Sequence, residues 1–546
     1  IGPNSGAADQ ATLTCNASAV SLGSTKTNGA GLHVRQGGTF VGGSGTHTIG
    51  SIVVDNNAAA KFTNTSGTAT VNGHSNDNTR SILIAANSVC VAAGTMDLTY
   101  GTASNIQCGN AAGINNLTLT GNVTYTQSNS LLMTGNLTIT SGTTLTTSGS
   151  NYALTVGGGI KNTGTLTANA STITITGEIA GFAFDQMGTF NAGTSTIQIG
   201  DGSTSTVGSS THFKSNNCHN LIINQHQDAP NGNVPWRAYT GTELTIGGNL
   251  TVTRGRFYRN TSTQDLTVTG NVEIASVGQV GTSAASGSNT FGSLKIINGG
   301  TYLATSGTTT VSKEADTGGT DFMFHNDGTF NHNDGKFVFD DAGLSSNSNV
   351  RCSSSFYDVE ITMGSFFLIS HHNMNVARDF IVTTGTYSDG SNGFTITRDT
   401  IVENGATLLL SNSSTQTKTL GGLHLKSGST FRACRGTTVI SNRINGESHL
   451  WKNDGGTFNH NDGTVKFNDN DHSRVKENTF YNVEVASNLG DYAVSFEALG
   501  GGGNAFTILN NLTITRGDFE LYYANDTLDI HGQTIINGSS NSGARF

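Results

Sequence analysis

Apolar and polar residues alternate along most of this chain in short runs. Asn116-Leu117-Thr118-Leu119-Thr120 and Asn136-Leu137-Thr138-Ile139-Thr140 are typical. Alternation with period two places one set of side chains in a core and the other in water, so each run predicts a half-buried β-strand. Thr at the polar positions suits that geometry, being both β-branched and polar. Gly and Asn fall between the runs, where corners need left-handed backbone. No helical stretch separates the strands, so a βαβ crossover is excluded. Leu117 and Leu137 are 20 residues apart, Leu137 and Leu154 17, Leu250 and Leu266 16, and Leu512 and Leu528 16. These intervals predict an all-β solenoid with coils of 16–20 residues, each made of two or three short strands. Successive coils would pair in parallel about 4.8 Å apart, giving on the order of thirty coils if the chain is one solenoid.

The runs are also grouped at a longer period. Gly188-Thr189-Phe190-Asn191, Gly328-Thr329-Phe330-Asn331 and Gly456-Thr457-Phe458-Asn459 each precede an alternating strand, at Thr196–Ile199, Lys336–Phe339 and Thr464–Phe467. A second shared strand follows at Asn220–Ile223, Asp358–Ile361 and Asn482–Val485. A third follows at Leu250, Phe380 and Leu512, and a fourth near Leu266, Phe394 and Leu528. The order is the same three times, which makes a superrepeat. The expected organisation is an irregular β region over 1–105 that forms the first coils, solenoid over 106–183, and superrepeat blocks over 184–317, 318–449 and 450–546, the last incomplete. A separate small β domain is the alternative for the first region.

Composition sharpens this picture. The chain has 72 Gly and 3 Pro in 546 residues, and only 12% of residues are charged. Such a chain cannot clothe helices with solvated faces, and a slim core that grows along one axis suits its 34% hydrophobic content. Net charge is -10 with no basic stripe, which argues against nucleic acid as a partner. No apolar run approaches the roughly 20 residues of a membrane-spanning helix. The six cysteines (Cys15, Cys90, Cys108, Cys218, Cys352, Cys434) include no CxxC pair, which argues against zinc. They permit disulfides, and Cys90 with Cys108 is the first pair to consider. The start at Ile1-Gly2-Pro3 suggests a processed form or a fragment.

The run from Gly-Thr-Phe-Asn through Val465-Lys466-Phe467 to Phe480-Tyr481-Asn482-Val483-Glu484-Val485 resembles the β-strand-repeat proteins of bacterial surfaces and some phage fibres. The Gly-Asn-Leu-Thr strands at Gly135 and Gly248 resemble the repeats of filamentous-haemagglutinin-type adhesins. The resemblance implies a right-handed parallel β-helix, export, and an adhesive or structural role. It is specific for architecture and not for ligand. A membrane-barrel region of the autotransporter kind is not evident at the C-terminus.

Candidate chemistry is sparse. Asp340-Asp341 and Asp469/Asp471 invite comparison with β-helical polysaccharide hydrolases, which use clustered carboxylates as acid and base. However, Asp201, Asp341 and Asp469 recur at one place in the three blocks. A recurring turn carboxylate that accepts nearby amides accounts for all three. His332/Asp334 and His460/Asp462 could suggest a metal, but the first block has Ala192 and Thr194 there, and Asn-Asp-Gly is a turn signal. Asn116, Asn122 and Asn249 head glycosylation sequons of a kind that composition alone produces. Phe190, Phe330 and Phe458 read as core and not as a sugar-stacking ladder, whereas Tyr522 and Tyr523 are better placed for a partner. No residue is assigned a catalytic, cofactor-binding or metal-ligating role.

The ends show no polar cap or amphipathic helix, and the chain stops within a block at Gly543-Ala544-Arg545-Phe546. Either the native protein is longer or the end docks on another subunit, and a head-to-tail contact that does not close makes a filament. The expected function is therefore that of a secreted structural or adhesive solenoid, a surface adhesin or the subunit of an end-to-end fibre. Self-association and surface glycans are the expected partners. A phage tail fibre or tailspike and a polysaccharide-degrading β-helix enzyme are the alternatives.

Overall fold

The computed structural model describes residues 1–546 except 2–9, 24–30, 76–78, 111, 204–210, 227, 229–230, 316–320, 342–343, 345, 470, 488–492, 538–543 and 546. Gly2, Pro3, Gly543 and Phe546, considered above as chain-end residues, lie outside the described residues. The fold has no helix among the described residues and about 54% strand, with parallel strands stacked in about 21 turns of a β-solenoid. Among the described residues no helix is therefore long and apolar enough to cross a membrane. Two compact units divide the chain, Ile1–Gly281 and Thr282–Phe546.

In the first unit a coil has three sides. Leu137–Ile139, Thr144–Thr146 and Leu154–Val156 lie beneath Ile160–Asn162, Thr165–Thr167 and Thr172–Ile175 of the next coil. Leu137 and Ile139 are fully buried while Thr138 between them is half-exposed, as the alternation requires. Burying each such side chain is worth about 1.5–3 kcal/mol, which is what holds the strand against its neighbours. Early coils belong to the same stack, since Thr70, Asp97 and Thr118 are successive partners on one side.

Coils are longer than the leucine intervals indicated. Leu117 does lie opposite Leu137, 20 residues on. Leu137, however, pairs with Ile160, while Leu154 pairs with Leu131 and Ile173 on another side. Leu250 pairs with Val272 and Leu266 with Leu244, and Leu512 pairs with Thr534 and Leu528 with Phe506. The 16- and 17-residue intervals thus step between sides of one coil. True registers run from 18 residues (Thr464 to Asn482) to 30 (Phe182 to His212), so there are about 21 turns and not thirty. Every side carries the same alternation, so a leucine on one side is indistinguishable in sequence from its counterpart on the next.

The superrepeat has a direct structural meaning. In the first unit Ile197, Leu221, Leu250 and Val272 stack as successive rungs of one side. In the second unit Phe337, Val359 and Phe380 do the same, as do Val465, Val483 and Leu512. The fourth shared strand belongs to a neighbouring ladder, Cys218–Ile246–Val268, Phe356–Val376–Ile396 or Phe480–Ile508–Ile530. The shared strands are therefore one patch of wall built three times.

A corner ladder precedes these strands. In the first block the Asn220 Oδ1 accepts the Asn249 amide at 2.9 Å, and the Asn249 Oδ1 accepts the Asn271 amide at 2.8 Å. In the third block Asn482 accepts from Asn511 at 3.1 Å and Asn511 from Gln533 at 2.9 Å. The middle block has carboxylates at these positions. Asp358 accepts the Asp379 amide at 3.2 Å and Asp379 the Asp399 amide at 3.4 Å. Stacked carboxylates repel, and arginine supplies the compensation. Arg378 forks onto Asp358 and Arg398 onto Asp379, each with an Nε bond of 2.6 Å. The other blocks have Gly248 and Gly270, or Asn510 and Gly532, where these arginines stand.

Candidate functional site

The residues singled out in the sequence are mostly structural. Asp201 is a turn residue, its Oδ1 accepting the Ser203 amide at 2.9 Å and the Ser203 hydroxyl at 2.7 Å. Those bonds, with the Ser203 hydroxyl first, hold its carboxyl below the usual carboxylate range. The Asp341 carbonyl accepts the Leu344 amide at 2.9 Å. Asp469 is buried and accepts the Ser473 hydroxyl. Asp340 ends a strand opposite Thr362, and Asp471 is paired with Arg443.

His332 and His460 make the same turn. The Nδ1 of each accepts a backbone amide, from Asp334 at 3.0 Å and Asp462 at 3.1 Å, and each ring stacks on a tyrosine, Tyr357 or Tyr481, at 5.6 Å. Asn333, Asp334, Asn461 and Asp462 all have positive φ, the conformation that Asn and Asp tolerate best after Gly. Among the described residues no three His, Cys, Asp or Glu side chains are grouped to hold a metal.

Phe190 and Phe330 are buried and Phe458 is half-buried. They stack along the core, Phe330 on Tyr302 at 6.0 Å and Phe458 on Phe431 at 5.9 Å. All six cysteines are free thiols. Cys90 and Cys108 lie in adjacent stretches of chain on separate ladders, Cys90 opposite Phe62 and Cys108 opposite Ile84. Cys108 donates to the Asn110 carbonyl at 3.1 Å, and burial pushes its pKa up to about 12. Asn116 and Asn249, two sequon asparagines, are engaged in corner ladders through their Oδ1 atoms.

What the sequence reading missed is an array of charge in the second unit. His424, Lys452, Lys476 and Glu497 are register partners on four consecutive rungs, all at polar positions of their strands. Asp454 joins two of them, accepting from His424 Nε2 at 2.8 Å and Lys476 Nζ at 2.9 Å. Burial opposes its ionisation, but the Lys476 and His424 hydrogen bonds and the lysine charges prevail and hold it at about 2. Lys452 donates to Glu447 at 2.9 Å, and that bond raises the lysine pKa. His449 lies between Glu447 at 3.5 Å and Glu497 at 3.7 Å, with burial lowering its pKa against the pull of both carboxylates.

Aromatic surface adjoins this array. Arg474 is the register partner of His449, and its guanidinium sits 3.9 Å over the Tyr522 ring. Tyr522 is 39% exposed and packs edge-on against Tyr523 at 4.9 Å. In a chain with so few charges this is a concentrated surface of donors, acceptors and exposed rings. Asp454 is paired with His424, Lys452 and Lys476, Glu447 with Lys452, and Glu497 with His449. A shallow groove of about 600 Å³ in the first unit, lined by Asn56, Gln107, Asn129 and Ser130, is less endowed. Knowing the register exposes the array in the sequence, since its members fall on the polar positions of successive rungs.

Comparison with known proteins finds no matching family model, no matching curated protein and no matching solved structure.

Proposed function

We propose that this chain is a non-catalytic, extracellular structural protein, a surface adhesin or the subunit of a fibre that grows by stacking coil on coil. The observation that carries the reading is the contrast between its walls and the charged array around Asp454. The walls are Thr- and Asn-rich and repeat the same patch three times. The array from His424 to Tyr523 offers paired charges beside exposed tyrosine, a combination that binds hydroxylated, polar partners such as surface glycans. The resemblance to bacterial β-strand-repeat surface proteins supports the same role. Electron microscopy of the purified chain tests the fibre reading, and glycan binding by the wild type and Y522A/Y523A tests the adhesive one. Regular filaments, or glycan binding lost in the variant, support the proposal. Dispersed particles with no glycan binding but with polysaccharide cleavage would overturn it in favour of an enzyme.

A further inference from the structure

Lys418 occupies an inward position of the strand Thr417–Leu420, where its register partner is Thr438 and its own exposure is 1%. It is the one lysine among the described buried residues. Its Nζ lies 2.8 Å from Oδ2 of Asp389, which is 2% exposed. The backbone carbonyl of Asn392 accepts a second Nζ hydrogen. Two oppositely charged side chains are thus sealed together in the interior, although the desolvation of a buried pair commonly outweighs its attraction.

The surroundings of the carboxyl group are directional. The Ser391 amide donates to Asp389 Oδ1 at 3.0 Å, and the Ser411 amide donates to Oδ2 at 3.2 Å. The Tyr387 hydroxyl is buried, and burial, with the Asp389 charge behind it, opposes its ionisation against the pull of the Ser370 side chain. The site therefore holds an amine and a carboxyl in contact, two amides aimed at the carboxyl oxygens, a nearby hydroxyl, and little water. Proximity of this kind converts a slow bimolecular condensation into an intramolecular one.

We infer that Lys418 and Asp389 are a site of spontaneous covalent cross-linking, joining Nζ to Cγ as an intramolecular isopeptide bond between neighbouring coils. A proton passes from Nζ to Oδ2, leaving a neutral amine and a neutral acid. The Nζ lone pair attacks Cγ, and the charge that develops on Oδ1 is met by the Ser391 amide, as in an oxyanion hole. A second Nζ proton transfers to the departing hydroxyl, the Cγ–Oδ2 bond breaks, and water leaves. One N–C bond replaces one C–O bond, and no oxidant or reductant takes part. The product removes both charges from the interior and ties the corner after Phe380–Ser388 to the strand Thr417–Leu420.

Intact mass of the full chain, measured under denaturing conditions, tests this. The expected mass is one water below the sequence mass, and K418Q is expected at its full sequence mass. Trypsin localises the bond, because succinimides at Asn-Gly steps also lose small molecules. Cleavage after Lys418 should be absent, and residues 379–398 should be recovered joined to residues 399–426. D389N should lose ammonia and reach the same final mass as the cross-linked wild type. A full-mass wild type that trypsin cuts after Lys418 would overturn the inference, whether or not either variant folds.

Discussion

The middle-block corner ladder lends itself to a quantitative test. Asp358, Asp379 and Asp399 stand at the same position of successive rungs, each mostly buried, with side-chain exposures of 9, 15 and 9%. Neighbouring rungs are about 4.8 Å apart. Two carboxylates at that distance repel by about 2–3 kcal/mol at an effective dielectric of roughly 25–35. Arg378 and Arg398 offset that repulsion, each forking onto the aspartate of the preceding rung while lying beside its own. Replacing Arg398 with Ala removes the offset between Asp379 and Asp399, so a local loss of about 2–3 kcal/mol is expected. Global unfolding of a stacked repeat is not reliably two-state, so the assay is native-state hydrogen exchange followed by peptide. Exchange over residues 379–403 should quicken by roughly 30- to 150-fold in R398A, by the conversion of 1.4 kcal/mol per tenfold. The decisive partner variant converts the ladder to the neutral form of the other blocks, with D358N, D379N, D399N, R378G and R398G together. It should exchange within about tenfold of wild type, because the accepted amides survive and no charges remain to be paired. If R398A and the five-fold variant exchange alike, charge compensation is not what the arginines provide.

Further expectations concern other parts of the wall. Glu477 is buried, with its pKa raised by burial against hydrogen bonds that include those from Asn453 and the Asn478 amide. A carboxyl raised on folding costs nothing below its unfolded pKa and costs most above its folded one, so E477Q should slow unfolding at pH 8 and have little effect near pH 4. Asp454 has the opposite sign. Its folded value of about 2 lies below the unfolded one, so the array it ties together should hold above about pH 4. It should loosen as pH falls toward 2, read by exchange of residues 449–476. A Cβ on Gly421 would lie 1.8 Å from the Arg398 carbonyl oxygen, so G421A should shift the backbone and raise exchange over the adjoining rungs. Native alkylation should label half-exposed Cys90 well before Cys108 or Cys352, whose thiols are raised by burial to about 12 and 11.

Much of the wall was legible because each strand states its own two faces. Leu137-Thr138-Ile139 can be placed core-in and water-out from three residues, and the three copies of the Gly-Thr-Phe-Asn unit announce the superrepeat. Coil length was not legible, because Leu137 and Leu154 look alike while standing on different sides. Errors in that length hid everything that depends on which rung lies above which. His424, Lys452, Lys476 and Glu497 form an array only once their register is known. Lys418 and Asp389 are separated by a whole coil of chain, and only stacking makes them neighbours. The inward position of Lys418 was visible in Thr417-Lys418-Thr419-Leu420 as an alternation with lysine on the apolar beat. Asp201 was readable as a turn residue because its partner, Ser203, is two residues away. Local bonds can be read from sequence, and bonds across coils need the coil length first.

Cryo-electron microscopy of the purified chain tests the central claim most directly. The account requires, within each unit, parallel strands rising about 4.8 Å per coil, with Val465, Val483 and Leu512 superposed on one side. Density with that order would establish the register on which the corner ladders, the charged array and the Lys418–Asp389 contact all depend. Antiparallel strands, or a register that places Leu512 above Leu528, would contradict it.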